Sequence, residues 1–174
     1  MSNDARFEDG LETPLNLGAL DGDDLKVLAA LAQDAVFPAD EMRWDRKASR
    51  FAVLLNRVRW EDEGQNRHGL ERVHSVLVFD TVRKVASQGV PQGDADTILS
   101  LLDITFTPTD APSGDITLTL AGDGAIRLSV EALEVTLKDV TRPYKAPSGK
   151  RPQPDSKPPY LPLPKGIHTP RRRP

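Results

Sequence analysis

The chain has 174 residues, 28% charged and 38% hydrophobic, with a formal net charge of -3; that length accommodates one domain with a real core plus loose ends. It has no cysteine, which excludes disulfides, thiolate metal sites and cysteine nucleophiles and makes a reducing cytoplasm the expected location. No run approaches the roughly 18 apolar residues of a membrane span, and Met1-Ser2-Asn3-Asp4 has neither a basic nor an apolar leader region, so a soluble, unsecreted protein is expected.

Charge is distributed unevenly. Residues 1–24 hold seven acids and one base, whereas residues 141–174 hold nine bases and one acid. An acidic body therefore carries a basic tail.

Residues 1–16 are acidic and aperiodic and read as a flexible lead-in. Asp21 is a good helix N-cap, flanked by Leu20 and Leu25 at the spacing of a hydrophobic staple, with Asp23 and Asp24 beside the positive end of the helix dipole. Leu25, Leu28, Leu31, Ala32 and Ala35 share one stripe, which predicts a helix from Gly22 to Asp34. Pro38 ends that element. Glu41 to Asp45 reads as a short strand. Arg50 to Glu61 reads as a longer one, apolar on both faces from Phe51 to Leu55, then with Leu54, Val58 and Trp60 opposite Arg57 and Arg59.

After a polar loop, Leu70 to Val85 has the pattern of a long strand that should bend or break near Asp80. Ile98 to Leu102 fits a helical turn or a strand. Leu102, Ile104 and Phe106 then alternate with polar residues, as in a half-buried strand. The clearest β signal is Asp115 to Val140. A three-residue loop through a left-handed Gly124 is expected to pair Leu120 with Ile126, Leu118 with Leu128 and Ile116 with Val130, placing all six side chains on one face. Their phase changes at Leu133, Val135 and Leu137, which implies a corner near Glu131 and Ala132; the β-branched residues favour strand over helix for 130–140. From Thr141 the chain turns basic and rich in proline, a composition that cannot bury a core and suits a flexible, partly polyproline II tail.

Leu20-Asp21 with the helix ending Gln33-Asp34-Ala35-Val36, the stretch Phe51 to Arg57 with Trp60-Glu61, Arg72 to Phe79, and Gly124 through Asp139 together resemble a small proteobacterial family catalogued only as a domain of unknown function. The likeness spans Leu17 to Tyr144. It implies one small bacterial cytoplasmic domain and supplies no activity, cofactor or catalytic residue.

The chemistry-bearing residues are few. His68, His74 and His168 are too scattered for a zinc cage, and no metal, cofactor or catalytic residue is expected. Asn56, Arg57, Arg59, Arg72 and His74 are the ligand-binding candidates, since two paired strands would gather them into a basic patch for phosphate or carboxylate; the plainer alternative is a solvated face relieved by Asp80 and Glu61. Trp60 reads as core and Trp44 as the more exposed of the two. Asp21-Gly22-Asp23-Asp24 lacks the later ligands of a calcium loop and is explained by capping. Neither a Gly-x-Ser-x-Gly elbow nor a phosphate-binding glycine loop is present.

The tail differs from an ordinary surface. Pro159, Tyr160, Leu161 and Pro162 form an extended ridge that an aromatic-lined groove accepts, and Arg171, Arg172 and Arg173 add a compact positive end. These are the partner-binding candidates; the alternative is a solubilising extension.

The expected fold is α+β: an amino-terminal helix on a strongly bent, mostly antiparallel sheet of about six or seven strands, with a half-open pleckstrin-like barrel as one form of it. The expected domains are 1–16, 17–140 and 141–174. The expected function is a non-enzymatic interaction module whose tail meets a protein or anionic partner. An anionic-ligand pocket or enzyme on the sheet comes second. RNA binding comes last, because the body is acidic and exposed aromatics are scarce.

Overall fold

The computed structural model describes residues 14–59, 71–91 and 93–141, together with the backbone of Tyr144 and Lys145. The chain runs β1 (Asn16–Ala19), α1 (Gly22–Ala32), β2 (Val36–Pro38), β3 (Met42–Asp45), β4 (Arg50–Val58), β5 (Glu71–Phe79), β6 (Val82–Gln88), β7 (Ile98–Pro108), β8 (Gly114–Leu120), β9 (Ala125–Val130), β10 (Val135–Asp139) and β11 (Tyr144–Lys145). The main path of the sheet is β1-β10-β5-β4-β2-β7-β8-β9-β6, with β3 paired to β4 and β11 to β5. Every strand pair is antiparallel.

Among the described residues, eleven strands and one 11-residue helix overturn the expected helix on a six- or seven-stranded sheet, and with it the pleckstrin-like half-barrel. The difference comes from bends and short edges. The long run from Leu70 breaks at Asp80 and Thr81, where a break or bend was expected and Thr81 has φ 56°, and so adds two strands, β5 and β6, to the count. Ahead of the expected Glu41 to Asp45 strand, which forms as β3, lies the unexpected β2. Val36 pairs with Asn56 of β4 on one side and Ser100 of β7 on the other, then the chain resumes along β4 as β3. This three-residue β2 is the corner joining two limbs of sheet, and it is too short to show a period.

Helix α1 begins as its sequence requires. Asp21 is extended (φ -138°, ψ 173°), and the Asp24 N–H donates to its carboxylate at 2.8 Å. The staple does not form: Leu25 is buried, but Leu20 is 73% exposed. The helix stops at Ala32, short of the expected Asp34. Asp34 takes φ 62° and its N–H donates to the Leu101 carbonyl at 2.8 Å, which turns the chain into β2.

The hairpin of β8 and β9 keeps its expected face and changes its register. Ile116 pairs with Leu128 and Leu118 with Ile126, while the Leu120 N–H donates to the Gly124 carbonyl at 2.8 Å. The loop is Ala121-Gly122-Asp123, and the positive φ angles belong to Gly122 (80°) and Asp123 (66°), not to Gly124. A slip of two residues preserves side-chain parity. All six apolar side chains are therefore still buried, each contributing about 1.5–3 kcal/mol before entropy is counted.

These six join Leu25, Leu28, Ala29 and Ala32 of α1, Phe51, Val53 and Leu55 of β4, Leu77 and Phe79 of β5, and Leu99, Leu101 and Ile104 of β7 in one core. A register shift between Leu101 and Asp103 changes the phase of β7. Leu102, expected inside with Ile104, is 42% exposed for that reason.

Candidate functional site

The five ligand-binding candidates lie where β4 and β5 approach their shared end. Asn56 pairs with His74, Arg57 with Val73 and Val58 with Arg72. Because facing residues share a side of the sheet and neighbours alternate, the pleat divides the candidates. Arg57 continues the inner row of Phe51, Val53 and Leu55. Asn56, Arg72 and His74 belong to the outer row.

On the inner face Arg57 is fully buried. Its Nη2 lies 2.9 Å and its Nε 3.2 Å from Asp139 Oδ1, its Nε also donates to Ser75 Oγ at 3.0 Å, and its Nη1 to the Val58 carbonyl at 3.3 Å. Ser75 donates to the same Asp139 oxygen at 2.7 Å. The other carboxylate oxygen accepts from the Leu15 N–H at 2.9 Å, and the Asp139 N–H returns a bond of 2.9 Å to the Leu15 carbonyl. Arg57, Ser75 and Asp139 thus tie β4, β5 and β10 to the chain entering β1. Beyond them Arg59 holds Glu71 at 2.6 Å.

On the outer face Arg72 donates through Nε to Asn56 Oδ1 at 2.6 Å and through Nη2 to the Asn56 carbonyl at 3.1 Å. The His74 N–H donates to Thr141 Oγ1 at 2.9 Å. Burial lowers the His74 pKa below its ordinary 6.5, and the neighbouring Arg72 charge lowers it further. A neutral imidazole beside a guanidinium is the chemistry this face offers.

Ser75 and Asp139 were absent from the sequence candidates, yet a signal for Asp139 exists. It falls in phase with Val135 and Leu137, and Arg57 falls in phase with Phe51, Val53 and Leu55. Opposite charges in phase with core positions mark a buried pair.

Trp44, expected to be the more exposed of the two tryptophans, is half-buried against the core. Trp60, His68, His168, Pro159, Tyr160, Leu161, Pro162, Arg171, Arg172 and Arg173 lie outside the described residues. Among the described residues no group of three or more metal-ligating side chains could hold an ion, and no helix is long and apolar enough to cross a membrane.

A family model described as a protein of unknown function, DUF2948, matches residues 15–154. No curated protein and no solved structure matches the chain.

Proposed function

The chain belongs to the DUF2948 family of proteins of unknown function, and on that footing we propose that it is a non-enzymatic interaction module, with the folded body as scaffold and residues 141–174 as the contact for a protein or anionic partner. The supporting observation is where positive charge is already spent. Arg50, Arg57, Arg59 and Arg83 each hold an acid of the body, whereas residues 141–174 have nine bases against one acid. Pro159 to Pro162 suit an aromatic-lined groove, and Arg171 to Arg173 suit phosphate or carboxylate. A cytoplasmic location is part of the same reading.

The test immobilises the full chain, a variant with Arg171, Arg172 and Arg173 changed to Ser, and one with Pro159, Tyr160, Leu161 and Pro162 changed to Ser, and exposes each to cytoplasmic extract at low and high salt. The expected result is a macromolecule held by the full chain at low salt, released by salt, and lost from one or both variants. Equal retention by all three would move the contact onto the body. Retention of nothing would end the reading.

One observation favours a second reading, a small-anion site on the body. Asn56, Arg72 and His74 come together on one face, and inorganic phosphate binding lost on Arg72→Ala would support it. RNA binding ranks third, and retention of RNA by the full chain at low salt would raise it.

A further inference from the structure

The outer face of the β10-β5-β4 limb carries a second apolar cluster, separate from the main core. Ala52, Val76, Val78 and Val140 are only 2–8% exposed, and half-buried Leu54 packs beside them. These residues come from β4, β5 and the position just after β10, and no residue of another layer joins the cluster among the described ones. Single-layer sheet faces ordinarily stay wet on one side, with polar residues in the outward positions. Here Ala52, Val76, Val78 and Val140 occupy four of them and are dry, while Asn56, Arg72 and His74 hold the polar end of the same face.

We propose that this face is a docking site for the chain's own carboxyl-terminal ridge, Pro158 to Pro164, with Tyr160, Leu161 and Leu163 laid across Ala52, Leu54, Val76 and Val78. Three observations select that occupant. The first is delivery: β11 pairs Tyr144 with Arg72 and Lys145 with Glu71, so the tail leaves from the end of this same limb. The second is reach. Residues 146–157 span up to roughly 37 Å as polyproline II at about 3.1 Å each, and the face from Arg72 to Val78 is roughly 20 Å long at about 3.3 Å per residue. The third is composition. Residues 59–70, the connection between β4 and β5, hold only Trp60 and Leu70 as apolar side chains, set at its two ends, while Pro158-Pro159-Tyr160-Leu161-Pro162-Leu163-Pro164 is the longest apolar run after Val140.

The inference rests on the tail reading for its consequence and extends it. Among the described residues the outer cluster holds no aromatic side chain, and such a surface is a weaker seat for a polyproline ridge than an aromatic-lined groove. A partner with such a groove would displace the ridge from the body, making the face a built-in competitor.

Because the chain has no cysteine, Leu54→Cys introduces a single thiol beneath the proposed ridge. Its modification rate is measured on the purified full chain with a small thiol reagent and no partner present, so the result is independent of the extract experiment. Slow labelling is expected, accelerated at least roughly tenfold when Tyr160, Leu161 and Leu163 are also changed to Ser. Ala52→Cys repeats the measurement should Leu54→Cys disturb the fold, with far-ultraviolet circular dichroism as the check. An unchanged rate in the tail variant overturns the proposal. So does acceleration by Phe7→Ser with Leu11→Ser instead, which would assign the cover to residues 1–13, or a rate that rises on dilution, which would assign it to a second copy.

Discussion

Arg57 and Asp139 illustrate how little of a residue's role is set by its chemical type. A guanidinium on a strand is ordinarily a solvated surface group, yet this one occupies an inner-row position and has no exposed surface. Desolvating both ions is compensated only while all the hydrogen bonds around the pair persist. Asp139→Ala leaves a buried cation without its main counter-charge and frees the Ser75 hydroxyl and the Leu15 N–H together, so the expected loss is about 3–5 kcal/mol in urea unfolding. Arg83→Ala, which removes an ion pair whose side chains are 63% and 55% exposed, should change stability by less than about 1 kcal/mol. Equal effects of the two substitutions would show that burial does not distinguish these pairs.

His74 supplies a pH dependence whose direction follows from its environment. Its folded pKa lies below the unfolded value of 6.5, so between those two values the unfolded chain binds more protons. The stability tied to neutral His74 is present above pH 6.5 and is lost as pH falls from there through the folded pKa. The urea midpoint should therefore drop on acidification through that window, and His74→Gln should flatten the drop. An undiminished slope in the variant would assign the pH dependence to other groups.

At the scale of elements, what was legible in the sequence is what has a period. The helix cap at Asp21, the break near Asp80 and the corner after Val130 follow from local chemistry, and so does the shared face of Ile116 to Val130. Register and strand number were not legible in the same way. Moving the β8–β9 loop by two residues leaves parity intact, so hydrophobic pattern alone cannot separate the two registers. Strands of two to four residues, as in β1, β2 and β11, contain at most two repeats of the two-residue alternation, too few to stand out from chance. The candidate site failed to appear as a unit for a related reason: alternation showed that Arg57 and Arg59 share a face but not which face the core would claim. Gly114 is an element-scale constraint of another kind. It sits opposite Pro108 and Val130 where β7, β8 and β9 meet, and a Cβ there would meet the Phe106 ring and lie 2.6 Å from the Thr107 carbonyl oxygen. Backbone cannot yield as a side chain does, so Gly114→Ala should destabilise by about 1–3 kcal/mol. A thermal midpoint equal to wild type would mean that the strand end relaxes freely.

Across the whole molecule, the ladder among the described residues joins the two limbs through the three-residue β2, and the Val82 N–H adds a bond of 2.8 Å to the Ser49 carbonyl, links few enough that hydrogen bonding alone would permit each limb to open separately. The core argues the opposite. Side chains from α1, β4, β5 and β10 belong to the same buried cluster as those from β7, β8 and β9, and parting the limbs would expose both sets to water at about 25 cal/mol per Å². Loss of either limb should therefore unfold the other in one cooperative transition, followed identically by circular dichroism and tryptophan fluorescence. Asp139→Ala acts in the first limb and Gly114→Ala in the second, and they share no hydrogen-bond or packing partner. In a single cooperative unit both shift the same transition, and the double variant's loss equals the sum of the single losses within about 0.5 kcal/mol. If the limbs were independent, each substitution would split the curve, lowering one phase and leaving the other at the wild-type midpoint.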